Sequence, residues 1–350
     1  LDSFDIMKDQ HNESSYKLDS LATKYLGTKK VDMNYSDIHP KYQTLEGRIE
    51  LAVYCVKDAW LVYKLLNLLC KHYVIIQMAK VTGISIKDIL HRGQGIRTIA
   101  LMLRFAKDRV PQLMLPRVSH KKSSHMEYII RDGLLETTEH EVSGSYQGAH
   151  VLAPLVGFYN EDVISCLDFA SLYPSIMICL NMSFETLCYR KKIEDMKWTQ
   201  GKEVRTVPDY VYEGELTTTI NLDNPSFVTK DVRRGLLPEI LETVLQERRR
   251  VKKMMKKEVP HSTMYKVYDG RQLGLKVVAN SIYGFTGAEH GILPCKAIAH
   301  SVTKYGRGMI LRAKSKIENH PVWGKMGCVC IYGDTDSVFI KIPRTLVNGD

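Results

Sequence analysis

The sequence predicts an α+β fold in which antiparallel strands carry acidic residues and long helices lie between them. Three observations predict it. Tyr332-Gly333-Asp334-Thr335-Asp336-Ser337 lies between two apolar, β-branched runs, Cys328–Ile331 and Val338–Ile342, and so reads as strand, tight turn, strand with two carboxylates at the tip. Val163–Phe169 is a second β-prone run and contains Asp168, with Pro174 placed for the first turn of a following helix. Between these acidic strands, one helical pattern starts after Gly235-Leu236-Leu237-Pro238 and reaches about Lys257, and another spans roughly Tyr265–Tyr283 before Gly284 and Gly287 end it.

The remaining elements follow in order. Residues 1–44 are polar and turn-rich, and Leu45 to Lys80 is apolar with no Gly or Pro beyond Gly47, as one or two packed helices would be. Residues 81–145 mix short periodic segments with Gly83, Gly93, Gly95, Pro111 and Pro116, and Ser119–Ser124 reads as a basic exposed loop. Lys191–Asn224 is polar and irregular, a surface excursion, and His300–Asn319 is a further helix before the acidic hairpin. No internal repeat or low-complexity tract interrupts this order.

Composition narrows the function. A chain of 350 residues with 44% hydrophobic and 25% charged residues has the make-up of a globular protein of two or more domains. No run approaches about 18 uninterrupted apolar residues, which excludes a membrane-spanning helix. The first residue is Leu rather than Met, and the chain reads as a piece of a longer one. The eight cysteines contain no Cys-x-x-Cys pair and are scattered among apolar residues, the pattern of buried free thiols rather than of a zinc site or disulfide framework. Net charge is +10, from 49 Lys plus Arg against 39 Asp plus Glu, which favours a polyanionic partner. Arg233, Arg234, Arg248, Arg249, Arg250, Lys252, Lys253, Lys256 and Lys257 crowd one region, where a solvated helix face is the plainer reading.

Spacing selects the chemistry. Carboxylates brought together repel, more so when partly desolvated, so a rigid acidic hairpin calls for a divalent cation; the plain alternative for Asp-x-Asp alone is a solvated turn. Asp168 and Asp336 could converge on one pair of metal ions if their strands neighbour in a sheet. Arg248 and Lys252, four apart, share a helix face, as do Lys276, Asn280 and Tyr283, while Leu275, Val278 and Ile282 line a face that can pack. Two antiparallel helices would offer Arg248, Lys252, Lys276 and Asn280 toward a common cleft. Tyr54 and Asp58 lie on one helical turn.

In order, Asp168-Phe169-Ala170-Ser171-Leu172-Tyr173-Pro174-Ser175-Ile176, Lys276-Val277-Val278-Ala279-Asn280-Ser281-Ile282-Tyr283-Gly284 and Tyr332–Ser337 resemble motifs A, B and C of family B DNA polymerases, delta-type replicative enzymes above all. The resemblance implies a right-hand polymerase palm with helical fingers and a partial RNase H-like 3′–5′ exonuclease. It divides the chain into the end of the exonuclease (1–80), a connecting segment (81–145), palm (146–230), fingers (231–290) and palm again (291–350), with the thumb absent. It further implies DNA-directed DNA synthesis on two Mg²⁺ ions held by Asp168, the Phe169 backbone and Asp336, with Asp334 assisting. Ser171, Leu172 and Tyr173 would cradle the dNTP triphosphate, with Tyr173 excluding a 2′-hydroxyl. Arg248, Lys252, Lys276 and Asn280 would grip the phosphates, and Tyr283 would touch the nascent base pair.

Tyr146-Gln147-Gly148-Ala149 is similar to the element joining exonuclease to polymerase, so Tyr146, Gly148 and Gly284 would contact DNA. Leu51–Leu61 is similar to the third exonuclease motif, with Asp58 on metal and Tyr54 orienting water. The upstream carboxylate motifs have no match in Asp2, Asp5 or Asp9, so proofreading is not expected of this segment. Implied partners are primer–template DNA, dNTPs and a processivity factor or accessory subunits, with no membrane. The implied setting is the nucleus, of the cell or of a virus's host, or a cytoplasmic viral replication site. Two rivals stay open: a palm enzyme that copies or makes RNA, disfavoured by Tyr173 and the Asp334-Thr335-Asp336 turn, and a non-catalytic nucleic-acid-binding module, disfavoured by the intact Asp168 and Asp336.

Overall fold

The structure is a computed structural model, and it describes residues 4, 7–8, 13–69, 71–109, 127–131, 134–138, 148–188, 190–213, 215–219, 224–260, 262–288 and 291–344. In chain order the elements are α1 (Leu18–Leu26), α2 (Tyr35–Tyr42), α3 (Leu45–Leu69), α4 (Lys71–Thr82), α5 (Ile86–His91), α6 (Gln94–Lys107), β1 (Glu127–Arg131), β2 (Leu134–Thr138), β3 (Val151–Leu152) and β4 (Val163–Asp168). There follow α7 (Leu172–Cys179), β5 (Leu187–Cys188), α8 (Arg190–Asp195), β6 (Val204–Thr206), β7 (Asp209–Glu213), β8 (Glu215–Thr219), β9 (Ser226–Val228), α9 (Leu236–Met255), α10 (Thr263–Gly287), α11 (Lys296–Glu318), β10 (Val329–Asp334) and β11 (Ser337–Ile342).

The chain divides into two compact units, residues 1–81 with 249–274, and residues 82–248 with 275–350. This boundary runs through the segment expected to form the fingers. The first unit is helical. Met7, Leu21 and Leu65 form its small core, and Gly270 of α10 lies so close to α4 that a Cβ there would stand 2.7 Å from Val74 Cγ2.

The second unit holds the acidic strands. Its four-stranded antiparallel sheet has the order β3-β10-β11-β4, so the hairpin β10–β11 sits in the middle and β4 at one edge. Along β11 and β4, Ser337 faces Asp168 and Ile342 faces Val163. A bulge between Cys330 and Tyr332 interrupts the β10 ladder, and Ile331 there accepts the Leu155 N–H at 2.8 Å. α11 packs on this sheet and on α7, with Leu152, Ile310, Ile317, Cys328, Cys330, Val338 and Ile340 buried between. Each fully buried side chain of this size stabilises by roughly 1.5–3 kcal/mol.

The root of α9 is bound by side chains from the turn after α7. Asn181 Oδ1 accepts the Gly235 N–H (2.8 Å), Ser183 Oγ accepts that of Leu237 (3.2 Å), and Glu185 accepts that of Leu236. These N–H groups lack intrahelical partners, so the bracket replaces an ordinary N-cap. Arg109 bridges the buried Glu185 carboxylate (3.2 Å) to Glu239 in the first turn (2.7 Å).

Four local expectations are corrected. Residues 1–44 contain α1 and α2 rather than turns alone. Lys191–Asn224 is not irregular: it carries α8, β6 and the β7–β8 hairpin, whose Tyr, Val and Thr residues favour strands although their polar neighbours disguise the alternation. α10 passes through Gly284 and stops at Gly287; a helical Gly costs about 1 kcal/mol, which burial of Phe285 and Thr286 beyond it offsets. Finally, Cys55, Cys166 and Cys179 are exposed, whereas Cys188, Cys295, Cys328 and Cys330 are buried. Ser119–Ser124 and Cys70 lie outside the described residues. No single helix among the described residues is long and apolar enough to cross a membrane.

Candidate active site

The strands place Asp168 and Asp336 side by side. Asp168 ends β4 opposite Ser337, and the Phe169 N–H donates to the Asp336 carbonyl at 2.8 Å, which joins the two acidic segments main chain to main chain. The hairpin tip is tight: Thr335 adopts a left-handed φ of 54° and its N–H donates to the His150 carbonyl (3.1 Å). Gly333 has no room for a side chain, since a Cβ would come 2.8 Å from Leu152 Cδ1 and 3.0 Å from the Ser337 carbonyl. The hairpin is thus held from both sides.

Burial raises the Asp336 carboxyl above its ordinary range, and Asp168 and Asp334 push it further, while Lys276 acts in the opposite direction. The strain of two neighbouring carboxylates is what a bound cation relieves, so the pair fits a divalent metal. Asp334, one position before the turn, is exposed and accepts the Thr335 hydroxyl at 2.9 Å. Among the described residues no set of three or more His, Cys, Asp or Glu converges as a metal group.

Beyond Asp168 the chain turns sharply through Ser171, left-handed at φ 55°, into α7. The first-turn amides of α7, at Leu172 and Tyr173, lie at a helix N-terminus, where the helix dipole suits an anion. The Tyr173 ring is half-buried and tilts against Tyr283 of α10, centroids 4.6 Å apart. On α10, Lys276 and Asn280 are exposed while Leu275, Val278 and Ile282 are buried, as the spacing required. Ser281 shares a hydrogen bond with Thr98 of α6 at 3.2 Å. A cleft of about 660 Å³ beside Gly284 is lined by Arg92, Gly95, Ser281 and Phe285.

Other expected residues are dispersed. Arg248 belongs to the same unit as Lys276 and Asn280, whereas Lys252, one turn later, belongs to the first unit. Tyr146 lies outside the described residues; Gly148 is exposed and accepts from Arg307 at 2.8 Å. Tyr54 and Asp58 meet on α3 as predicted, but Lys30 occupies them: its ammonium is 3.0 Å from Asp58 and 5.0 Å from the Tyr54 ring centroid. Hydrogen bonds to Tyr54 and Asp58 raise the Lys30 pKa. Sequence reasoning missed Arg307, whose pKa is lowered by burial and which feels both Tyr173 and Tyr283. Its signal was its helical phase: His300, Lys304 and Arg307 recur at i, i+4 and i+7 of α11.

Comparison with known proteins agrees with this geometry. The family model described as DNA polymerase family B matches residues 84–349. The DNA polymerase delta catalytic subunit of Drosophila melanogaster is 39% identical over 334 residues, covering 93% of this chain and 27% of that protein. That of Arabidopsis thaliana is 38% identical over 345 residues, covering 97% and 28%. A family B DNA polymerase structure from the archaeon Pyrobaculum calidifontis superposes with a TM-score of 0.61 at 25% identity, covering 99% of this chain and 39% of that one. The chain thus spans between a quarter and a third of the length of the curated relatives it matches.

Proposed function

The chain belongs to DNA polymerase family B, and from that premise we propose that it is the palm-and-fingers part of a replicative enzyme of the delta type that performs template-directed DNA synthesis. The observation that carries this reading is the juxtaposition of Asp168, at the end of β4, with Asp336, just before β11, through the Phe169–Asp336 hydrogen bond.

In the proposed reaction the primer 3′-hydroxyl attacks the α-phosphate of a dNTP, a P–O bond forms, and the bond to pyrophosphate breaks. Asp168, Asp336 and the Phe169 main-chain carbonyl would hold two Mg²⁺ ions, which when bound neutralise phosphate charge and acidify the 3′-hydroxyl. Asp334 braces the turn. The α7 amides at Ser171–Tyr173 receive triphosphate oxygens, and Lys276, Asn280 and Arg248 supply donors and positive charge as charge moves onto the leaving group. Tyr173 fills the space beside the deoxyribose C2′, and Tyr283 backs it against the nascent base pair. Gly148 and Gly284 would line the path of the DNA.

The natural partners in this reading are primer–template DNA, dNTPs and the accessory subunits or processivity factor of a replication assembly, in the nucleus or at a viral replication site. The Tyr54–Asp58 pair is a remnant of proofreading machinery, held by Lys30. The test is single-nucleotide extension by the purified parent protein on four templates that differ only in the first unpaired base. Incorporation that follows the template with dNTPs and Mg²⁺ supports the reading; incorporation independent of the template overturns it.

A further inference from the structure

The Tyr173 ring has a seat that is defined from three directions. Its backbone is fixed in α7 between the buried Leu172 and Pro174. On one side lies Tyr283 at 4.6 Å between centroids, near the short end of the range for aromatic pairs, so the ring has almost no travel that way. On another lies Gly306, a buried position in the interior of α11. A Cβ there would stand 3.0 Å from Tyr173 Cε1, 3.7 Å from Cδ1 and 3.8 Å from Ile176 Cδ1. Glycine inside a helix costs about 1 kcal/mol relative to alanine, so its use here is explained by the close approach of the ring rather than by the helix.

We propose that Gly306 is a specificity-determining position: by omitting a side chain it sets how deep the Tyr173 ring sits and hence how much room remains beside the sugar of the incoming nucleotide. This deepens the reading of Tyr173 as the residue facing C2′ and rests on it. A methyl group at 306 cannot be absorbed by α7, whose backbone is packed, nor by Tyr283, already in contact. The ring therefore tips toward the nucleotide cleft, and the pocket narrows where a 2′-hydroxyl would go. A residue that only stabilised α11 would leave sugar choice untouched.

The experiment uses the full-length parent enzyme and measures kcat/KM for dCTP and for CTP on one primer–template, for wild type, Gly306→Ala, Tyr173→Ala and the double variant. Gly306→Ala is expected to raise the dCTP KM and to increase the dCTP-over-CTP ratio about threefold or more, because a pocket that excludes by shape responds to a single methyl. In the Tyr173→Ala background the same substitution is expected to leave the ratio unchanged, since no ring is there to move. If Tyr173→Ala collapses the ratio and Gly306→Ala leaves it unchanged, the gate stands and the role of Gly306 fails. If Tyr173→Ala itself leaves the ratio unchanged, the gate reading fails and takes this inference with it. A shift of the ratio by Gly306→Ala that persists without the Tyr173 ring overturns the proposal as well. Should Gly306→Ala not fold, melting of the double variant decides: recovery of the folded state supports the contact, and no recovery places the clash elsewhere and overturns it.

Discussion

The residue after Asp168 is hydrogen-bonded to Asp336 itself: the Phe169 N–H donates to the Asp336 carbonyl at 2.8 Å, one step beyond the last ladder pair, Asp168 with Ser337. Neither acidic segment can shift without the other. The spacing of the two main-chain segments that bear these carboxylates is therefore a property of the sheet.

Charge removal at this pair tests the metal assignment. Asp336→Asn or Asp168→Asn in the full-length enzyme is expected to abolish nucleotide incorporation while primer–template affinity stays near wild type, because metal-held charge supplies most of the transition-state stabilisation. Primer extension alongside a DNA-binding titration reads both. Incorporation within about tenfold of wild type for either variant would show that the carboxylate concerned is not a metal ligand.

The phosphate grip has a different kinetic signature. Lys276 lies on the exposed face of α10 and acts electrostatically on Asp336. Lys276→Ala, and likewise Arg248→Ala, is expected to raise the apparent dNTP KM and lower kcat, with little change in DNA affinity. Unchanged dNTP kinetics with weakened DNA binding would reassign these side chains to the nucleic-acid backbone.

Sugar selection is the most residue-specific expectation. Tyr173→Ala or Tyr173→Val is expected to admit ribonucleotides far more readily with a smaller loss in dNTP use, since discrimination by steric filling disappears with the ring. The dCTP-over-CTP ratio of kcat/KM measures it, and an unaltered ratio would reduce Tyr173 to a packing residue against Gly306 and Tyr283.

The bracket at the root of α9 predicts a stability effect. The Glu185 side chain is fully buried, paired with Arg109 and accepting the Leu236 N–H. Glu185→Ala removes the acceptor that Arg109 and the Leu236 N–H share and is expected to cost about 3 kcal/mol, as for breaking a buried pair. Glu185→Gln, which keeps the acceptor for Leu236, should cost less. Chemical denaturation measures this; a loss below about 1 kcal/mol for the alanine variant would mean that solvent replaces Glu185.

Much of the site was legible from residue type and spacing. The Asp334-Thr335-Asp336 turn, the strand ending in Asp168, the helix opening at Leu172 and the exposed Lys276–Asn280 face over buried Leu275, Val278 and Ile282 all stand as the periodicities required. These are local properties, carried by turn chemistry and by periods of 2 and 3.6. The helices before Leu45 and the strands of 204–219 were not legible. Short elements whose outer positions are polar give too few turns of a period to separate them from loop.

What the sequence determined by itself was the acidic hairpin, the second acidic strand, the two basic helices and the ordered trio of motifs that tied them to a family, because each is written in a short contiguous stretch. Only the tertiary structure decided which residues meet: that Phe169 locks to Asp336, that Lys30 covers Tyr54 and Asp58, that Asn181, Ser183 and Glu185 cap a helix more than 50 residues away, and that Gly306 seats Tyr173. The physical reason is the same in each case. Hydrogen bonds, ion pairs and van der Waals limits act over a few ångströms in space, and no local pattern along the chain records which distant residue will arrive within that range.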